Sequence, residues 1–355
     1  MNKRVLMKGN EVIAEAAVRA GCRHYFGYPI TPQTEIMHYM ARRMVEAGGV
    51  MVQAESEVAA INMVYGASAA GARVLTTSSS PGISLKQEGF SYIAGAELPA
   101  VVVNIVRGGP GLGGILPAQG DYFQATKGGG HGDYRNIVLA PASVQELYEL
   151  TVEAFNLADR YRMLTMILGD GTLGQMMEPV AFREEEPIDS SDKPWAVTGF
   201  KAAEREHNTI QSIYIEADDL EALNNRLQDK YQIIRQQEVR SEQVNCENAD
   251  VIVAAFGTCS RICRNVIRDA AALGIHVGLV RPITLWPFPD AAVVSAADQS
   301  SVQAVLTVEL NAGQMVEDVR LAVNGLKPVY FHGRTGGNMP TQKEILDKIR
   351  SIVGR

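Results

Sequence analysis

A single threonine stands between two prolines in the stretch YPITPQTE, which begins at residue 28. Each proline fixes its own φ and biases the residue before it away from the helical region. Thr31 therefore suits the N-cap position of a helix whose first residue is Pro32, a position that favours proline. By itself the pattern is most typical of an ordinary capped helix. The alternative is a rigid hydroxyl at a helix N-terminus that binds an anion or a cofactor.

Two charged residues lie where predicted strands end. Glu57 follows Ser56 in QAESEVAAI, where a strand gives way to a helix, and a carboxylate in a first turn interacts favourably with the helix dipole. Arg107 ends an apolar strand before a glycine-rich loop, so its cation needs either a carboxylate of the fold or an anionic ligand. The residues alone leave both interpretations of Arg107 open. His131, in GGGHGDYRN, belongs either to an active-site loop or to a merely flexible one.

Two phosphate-binding patterns do not have the surroundings that they need. The loop RGGPGLGG has GxGxxG spacing after a strand, but its continuation, ILPAQGDYFQATKGGGHG, is broken by proline and glycine where a dinucleotide site needs a helix. The GDG at residues 169–171 resembles the start of the diphosphate–magnesium motif of thiamine diphosphate enzymes. The asparagine that completes that motif is missing from the following WAVTGFKAA region. We therefore predict a turn at GDG and no Rossmann-type site.

The predicted scaffold is α/β. From residue 9 to about 170, helices alternate with strands at HYFGY, VMVQA, RVLTTSS, AVVVNIV, NIVLA and MLTMILGD, which implies a parallel, doubly wound sheet. A second α/β unit has strands at VIVAAF, IHVGLV, AVLTVE and PVYFH. We predict two doubly wound domains, at residues 1–185 and 248–355, joined by a linker with a helical connector at 186–247.

Composition excludes several classes of function. The 355 residues carry a net charge of −7 without a basic stripe, which argues against nucleic acid as a partner. No apolar run approaches the ~20 residues needed to span a bilayer, and the N-terminus lacks a signal-peptide core. We expect no membrane partner and a cytoplasmic location. The four cysteines lack CxxC spacing, and Cys259 and Cys263 share a helix face as buried thiols, so we predict no metal held by this chain alone.

Several stretches together resemble the α subunit of 2-oxoacid:ferredoxin oxidoreductases. The resemblance covers essentially the whole chain, and it is closest to the 3-methyl-2-oxobutanoate (branched-chain 2-oxoacid) type, with the 2-oxoglutarate type a near relative. At Ser80 the sequence departs from the family, where glycine is expected. The motifs that carry the resemblance are GYPITPQTE, QAESEVAAINMVYGA, SSPGISLKQEG, AGAELPAVVVNIVRGGPGLG, KGGGHGDYRNIVLAPASVQE and RPITLWPFP.

The resemblance implies a division of labour between subunits. The first domain is similar to the pyrimidine-binding half of a thiamine diphosphate site, and the second to a transketolase C-terminal domain. A β subunit would supply the diphosphate–magnesium half and an iron–sulfur cluster, and γ or ferredoxin-like δ subunits would carry further clusters. The cofactor-binding residues implied by the resemblance are Tyr28, Pro29, Ile30, Thr31, Glu57, Ser80, Pro81 and Gly82.

The implied reaction is oxidative decarboxylation of a 2-oxoacid with coenzyme A, which reduces ferredoxin. Its implied catalytic residues are Glu57, which would hydrogen-bond the pyrimidine ring, Arg107, which would pair with the substrate carboxylate, and Thr31, whose hydroxyl would face the reacting end of the cofactor. Two other functions remain open from the residues: an NAD-linked or transketolase-like enzyme that acts alone, and a non-catalytic scaffold subunit.

Overall fold

The computed structural model describes residues 4–184, 193–199 and 208–354. The predicted linker lies partly outside these residues, and so does the predicted boundary at residue 185. None of the helices in the described part has the length and apolar character needed to cross a membrane.

The first part of the chain alternates strands and helices as the sequence predicts. Its elements in order are β1 (Arg4–Lys8), α1 (Gly9–Arg19), β2 (His24–Gly27), α2 (Thr34–Glu46), β3 (Val50–Gln53), α3 (Glu57–Ala69), β4 (Val74–Ser78), α4 (Pro81–Gly95), β5 (Ala100–Val106), α5 (Tyr122–Thr126), β6 (Ile137–Leu139), α6 (Val144–Tyr161), β7 (Leu164–Asp170), α7 (Gly171–Gln175) and β8 (Met177–Ala181).

The second part begins with the predicted helical connector. Its elements are α8 (Ala217–Gln237), β9 (Ser241–Val244), β10 (Val251–Ala254), α9 (Gly257–Ala271), β11 (Val277–Pro282), β12 (Thr284–Trp286), α10 (Asp290–Ala297), β13 (Ala304–Glu309), α11 (Met315–Val323), β14 (Val329–Gly333) and α12 (Gln342–Val353). Cys259 and Cys263 lie buried on α9, as predicted.

A seven-stranded sheet forms the centre of the first part, in the order β12-β6-β7-β5-β4-β2-β3. All neighbours pair in parallel except β12, which runs antiparallel to β6. The connection from β2 to β3 crosses the sheet in the opposite direction to those from β3 to β4 and from β4 to β5. Because such crossovers are right-handed, α2 lies on one face and α3 and α4 on the other. The fold is therefore the predicted doubly wound sheet.

The second sheet has five strands in the order β14-β13-β10-β11-β9, and only β9 is antiparallel to its neighbour. One apolar core runs from the first sheet into the near face of the second, and a smaller core fills the far face. Arg281 joins the two parts, since its buried guanidinium binds both carboxylate oxygens of Glu146 at 2.8 and 2.9 Å and Glu242 at 2.8 Å.

Candidate active site

The carboxyl ends of four adjacent parallel strands carry the residues predicted to do chemistry. The loop with Thr31 follows β2, Glu57 follows β3, Ser80 follows β4 and Arg107 follows β5. In the sheet these strands lie in the order β5-β4-β2-β3. From β2 the chain passes to β3 on one side, and it then returns to β4 and β5 on the other side. The edge where the strand order reverses is where open α/β sheets bind ligands.

Thr31 is not an N-cap, contrary to the sequence prediction. A turn over residues 30–33 comes first, in which the Gln33 amide donates to the Ile30 carbonyl, and α2 begins only at Thr34. The Gln33 side chain turns inward, accepting a hydrogen bond of 2.6 Å from the Thr77 hydroxyl, so it cannot cap the helix either. Thr31 is left exposed, and its hydroxyl makes no hydrogen bond within the described residues.

Arg107 is a buried cation without a carboxylate partner among the residues that the structure describes. Its side chain donates to two main-chain carbonyls, those of Thr31 and Leu112, both at 2.9 Å. The Nε–H is buried and has no acceptor. Only 7% of the residue is exposed, so its charge is removed from water without being neutralised, which is costly. Of the two interpretations left open by the sequence, this geometry favours an anionic ligand.

Glu57 is the first residue of α3, and it is buried, whereas Glu55 is exposed. Ser56 caps the helix by accepting from the Ala59 amide at 3.1 Å, and this fixes the Glu57 backbone. Among the described residues the Glu57 carboxylate has no hydrogen-bond partner. A Cβ on Gly82 would lie 2.5 Å from Glu57 Oε1 and 2.1 Å from Ser78 Oγ, so glycine is required for α4 to approach this close. The Ser78 hydroxyl is buried and unpartnered.

The remaining predicted residues line the same edge. Tyr28 and Ile30 are half-buried, and Pro29 is exposed. Pro81 is the first residue of α4. The Ser80 hydroxyl is already bonded to the main chain of Arg107, at 3.0 and 3.2 Å. Roles for these residues in cofactor binding stay predictions.

Lys86 has no signal in the sequence that marks it. It lies four residues after Gly82 on α4, and therefore on the same helix face, and it is wholly buried. Its ammonium donates to the Thr76 hydroxyl at 2.6 Å and the Thr77 carbonyl at 3.2 Å. Burial lowers the pKa of Lys86 to about 7, and the nearby Glu57 charge partly opposes this shift. A lysine in an amphipathic stretch such as SLKQEG is normally solvated, so only the fold reveals this group.

The GDG at 169–171 is a helix start rather than the predicted turn. Asp170 ends β7 and caps α7, accepting from the amides of Thr172 at 2.9 Å and Leu173 at 3.2 Å. These two bonds continue the chain into a helical turn. Burial raises the pKa of the Asp170 carboxyl. The glycine loop after Arg107 folds back without a helix, as predicted, and its next helix begins only at Tyr122.

Comparison with known proteins identifies two family regions. Residues 15–245 match the family described as "Pyruvate flavodoxin/ferredoxin oxidoreductase, thiamine diP-bdg". Residues 249–345 match "Pyruvate:ferredoxin oxidoreductase core domain II".

Curated relatives match over nearly the full length, and two of them illustrate the range of identity. The chain is 51% identical to ketoisovalerate oxidoreductase subunit VorB of Methanothermobacter thermautotrophicus, over 98% of each protein. It is 35% identical to the 2-oxoglutarate synthase subunit KorA of the same organism, over 98% of this chain and 99% of that one.

Two solved structures resemble the fold. One is a 2-oxoglutarate:ferredoxin oxidoreductase from Magnetococcus marinus with 2-oxoglutarate, coenzyme A and succinyl-CoA bound (TM-score 0.88, 25% identity). It matches 99% of this chain, which spans 66% of that longer one. A split gene transketolase, an inactive β4 tetramer, shares the fold with a TM-score of 0.60 at 12% identity, over 98% of each chain.

The buried lysine gives a prediction on stability. Because the pKa of Lys86 is near 7 in the fold and near 10.5 in the unfolded chain, the unfolded state binds more protons between these values, and stability rises with pH there. Lys86→Met removes this dependence, so the stability of the variant relative to wild type should be highest near pH 7 and should fall by up to about 1.4 kcal/mol per pH unit towards pH 10.

The measurement is urea unfolding of the full chain from pH 7 to pH 10. Lys343→Met is the control, since Lys343 is exposed and should leave the pH dependence of wild type unchanged. Parallel curves for wild type and Lys86→Met would contradict the assignment of a buried, weakly protonated lysine.

Proposed function

Because this chain belongs to the 2-oxoacid:ferredoxin oxidoreductases, as a subunit of the α type, we propose that it forms the pyrimidine-binding half of a shared thiamine diphosphate site. The complex would oxidatively decarboxylate a branched-chain 2-oxoacid such as 3-methyl-2-oxobutanoate with coenzyme A, giving acyl-CoA and carbon dioxide and reducing ferredoxin.

The observation that carries the proposal is the uncompensated cation of Arg107. A 2-oxoacid presents a carboxylate beside its keto carbon, and that charge needs a partner once a site closes around it. The planar guanidinium offers unfilled N–H donors, including the orphaned Nε–H, and it can bind a carboxylate through two parallel hydrogen bonds. Thr31 lies directly beside it, since its carbonyl accepts from Arg107.

The residues near Glu57 fit a pyrimidine ring. A carboxylate without a partner in the described chain and the buried, unpartnered hydroxyl of Ser78 lie together beside Gly82. Such groups match the ring nitrogen and amino group of an aminopyrimidine, which need an acid–base partner and hydrogen bonds. Bound thiamine diphosphate would supply a carbon nucleophile and an electron sink for the loss of carbon dioxide.

In this proposal the residues of this chain hold and orient the cofactor and the substrate. Glu57 would hydrogen-bond the pyrimidine nitrogen and exchange a proton with it, as a positioned general acid–base group. Arg107 would hold the substrate carboxylate, and the Thr31 hydroxyl would face the reacting carbon. Because these groups come from strand ends and helix starts, their separation is set before substrate arrives, which lowers the entropic barrier.

A partner subunit is needed to complete the site, and we propose a β subunit that brings the diphosphate–magnesium half and an iron–sulfur cluster. Asp170 of GDG is engaged in capping α7, which leaves diphosphate binding to the partner. Beside Arg107 the loop exposes three apolar side chains, Leu112, Ile115 and Leu116, which suit a protein interface. Further γ or δ subunits would pass electrons to ferredoxin.

The substrate assignment rests on the higher identity to the ketoisovalerate relative than to the 2-oxoglutarate relatives. We expect the purified complex to show a higher kcat/KM for 3-methyl-2-oxobutanoate than for 2-oxoglutarate in anaerobic assays with coenzyme A and ferredoxin. The reverse order would assign the chain to the 2-oxoglutarate type, and no turnover with any 2-oxoacid would favour a scaffold subunit.

Glu57→Gln should lower turnover of the complex by ~10²–10⁴, the range for a positioned acid–base group. The amide keeps the shape of the side chain, so assembly should be unaffected. Glu55→Gln is the matched control, because Glu55 is two residues away and exposed. An inactive Glu55→Gln complex beside a fully active Glu57→Gln complex would show that the wrong carboxylate has been assigned.

Arg107→Ala should lower kcat/KM for the 2-oxoacid. The loss should correspond to an increase of ~2–4 kcal/mol in the activation free energy, as expected when one member of a desolvated charge pair is lost. Arg107→Lys should restore only part of this, since an ammonium lacks the planar fork. Assembly and kinetics are measured on one preparation. If Arg107 instead pairs with a carboxylate of the partner subunit, Arg107→Ala would weaken the complex while the surviving enzyme kept its kcat/KM.

A further inference from the structure

Ser80 has a backbone conformation that a serine adopts only at a cost. Its φ is 22°, on the positive side where residues with a side chain are strained and glycine is not. It ends the turn between β4 and α4, and Pro81 follows as the first helical residue. Glycine would adopt the backbone conformation of this turn at a lower cost than serine, so the side chain needs a reason of its own.

The Ser80 hydroxyl bridges both main-chain polar groups of Arg107. It accepts from the Arg107 amide at 3.0 Å and donates to the Arg107 carbonyl at 3.2 Å. Both residues lie at strand ends, Ser80 beyond β4 and Arg107 beyond β5, and the two strands are neighbours. The regular β4–β5 pairing ends at Ser78 and Asn104, so the hydroxyl extends the link between the strands to the residue that carries the guanidinium.

A buried amide and a carboxylate hold Ser80 itself. The Ser80 amide donates to Asn104 Oδ1 at 3.1 Å, and Asn104 Nδ2 donates to Asp121 at 2.8 Å. Burial raises the pKa of Asp121, while the hydrogen bond from Asn104 acts against that rise. The Ser80 backbone is thus held by this network, and the Ser80 hydroxyl in turn holds the Arg107 backbone.

We propose that Ser80 is a positioning residue for the substrate-binding cation: its hydroxyl anchors the Arg107 backbone so that the guanidinium meets the carboxylate of the 2-oxoacid. This rests on the proposed role of Arg107. We expect the effect on substrate binding rather than on the chemical step, because the hydroxyl bonds the Arg107 main chain and acts through the guanidinium.

Two substitutions separate the hydroxyl from the strain. Ser80→Ala removes the hydroxyl and keeps the strained φ, whereas Ser80→Gly removes the hydroxyl and relieves it. We expect both to raise KM for the 2-oxoacid about fivefold, the effect of roughly one hydrogen bond, with little change in kcat or in KM for coenzyme A. The melting temperature should be higher for Ser80→Gly than for Ser80→Ala. Ser91→Ala, on the same helix, is the control, since its hydroxyl bonds the His131 carbonyl instead.

A double substitution tests the route through Arg107. In an Arg107→Ala complex, Ser80→Gly should cause no further rise in KM, because residues that act through one interaction are not additive. An unchanged KM in Ser80→Gly, while Arg107→Ala raises it, would overturn the inference and leave the proposed role of Arg107 intact. An unchanged KM in Arg107→Ala would instead overturn the role of Arg107 in binding the substrate carboxylate. A rise in KM from Ser80→Gly that persists in the double variant would show that Ser80 acts by another route.

Discussion

Strands β5, β4, β2 and β3 run in the same direction, and this shared direction brings the residues of the candidate site together. Parallel strands have their carboxyl ends at the same edge of the sheet, so the strand direction alone brings together four loops that are far apart in sequence. Residues 31 and 107, separated by 76 positions, come within 2.9 Å because their strands end together. The sheet has to be apolar and buried on both faces to run this way, and polar chemistry is therefore confined to its rim.

Two buried basic side chains lie near that rim without a carboxylate bonded to them in the described chain. Arg107 has only main-chain carbonyls, and Lys86 only a threonine hydroxyl and a carbonyl. Each costs stability, since an apolar replacement would avoid removing a charge from water. A cost in stability is expected where activity depends on the group. At Lys86, on α4, the protonation of the amine is coupled to the charge of Glu57 on α3.

The sequence predicted the parts of the site that depend on strand endings, and it missed those that depend on contacts between distant residues. Apolar runs such as AVVVNIV marked the strands, and Glu57 and Arg107 could be found as the charges that follow them. The N-cap assigned to Thr31 was wrong because local preference was outweighed by the inward turn of Gln33. Lys86 and the link from Ser80 to Arg107 leave no trace in local pattern, since both exist only once α4 has packed on β4 and β5.

Strand β12 gives the chain a particular order of assembly. It belongs by sequence to the second part, yet it covers the edge of β6 and completes the first sheet. During synthesis β6 is made long before β12. The outer edge of β6 therefore stays unpaired until residue 286 has been added. A cut in the chain between the two parts would leave that edge exposed, so the first part depends on the second to close its sheet.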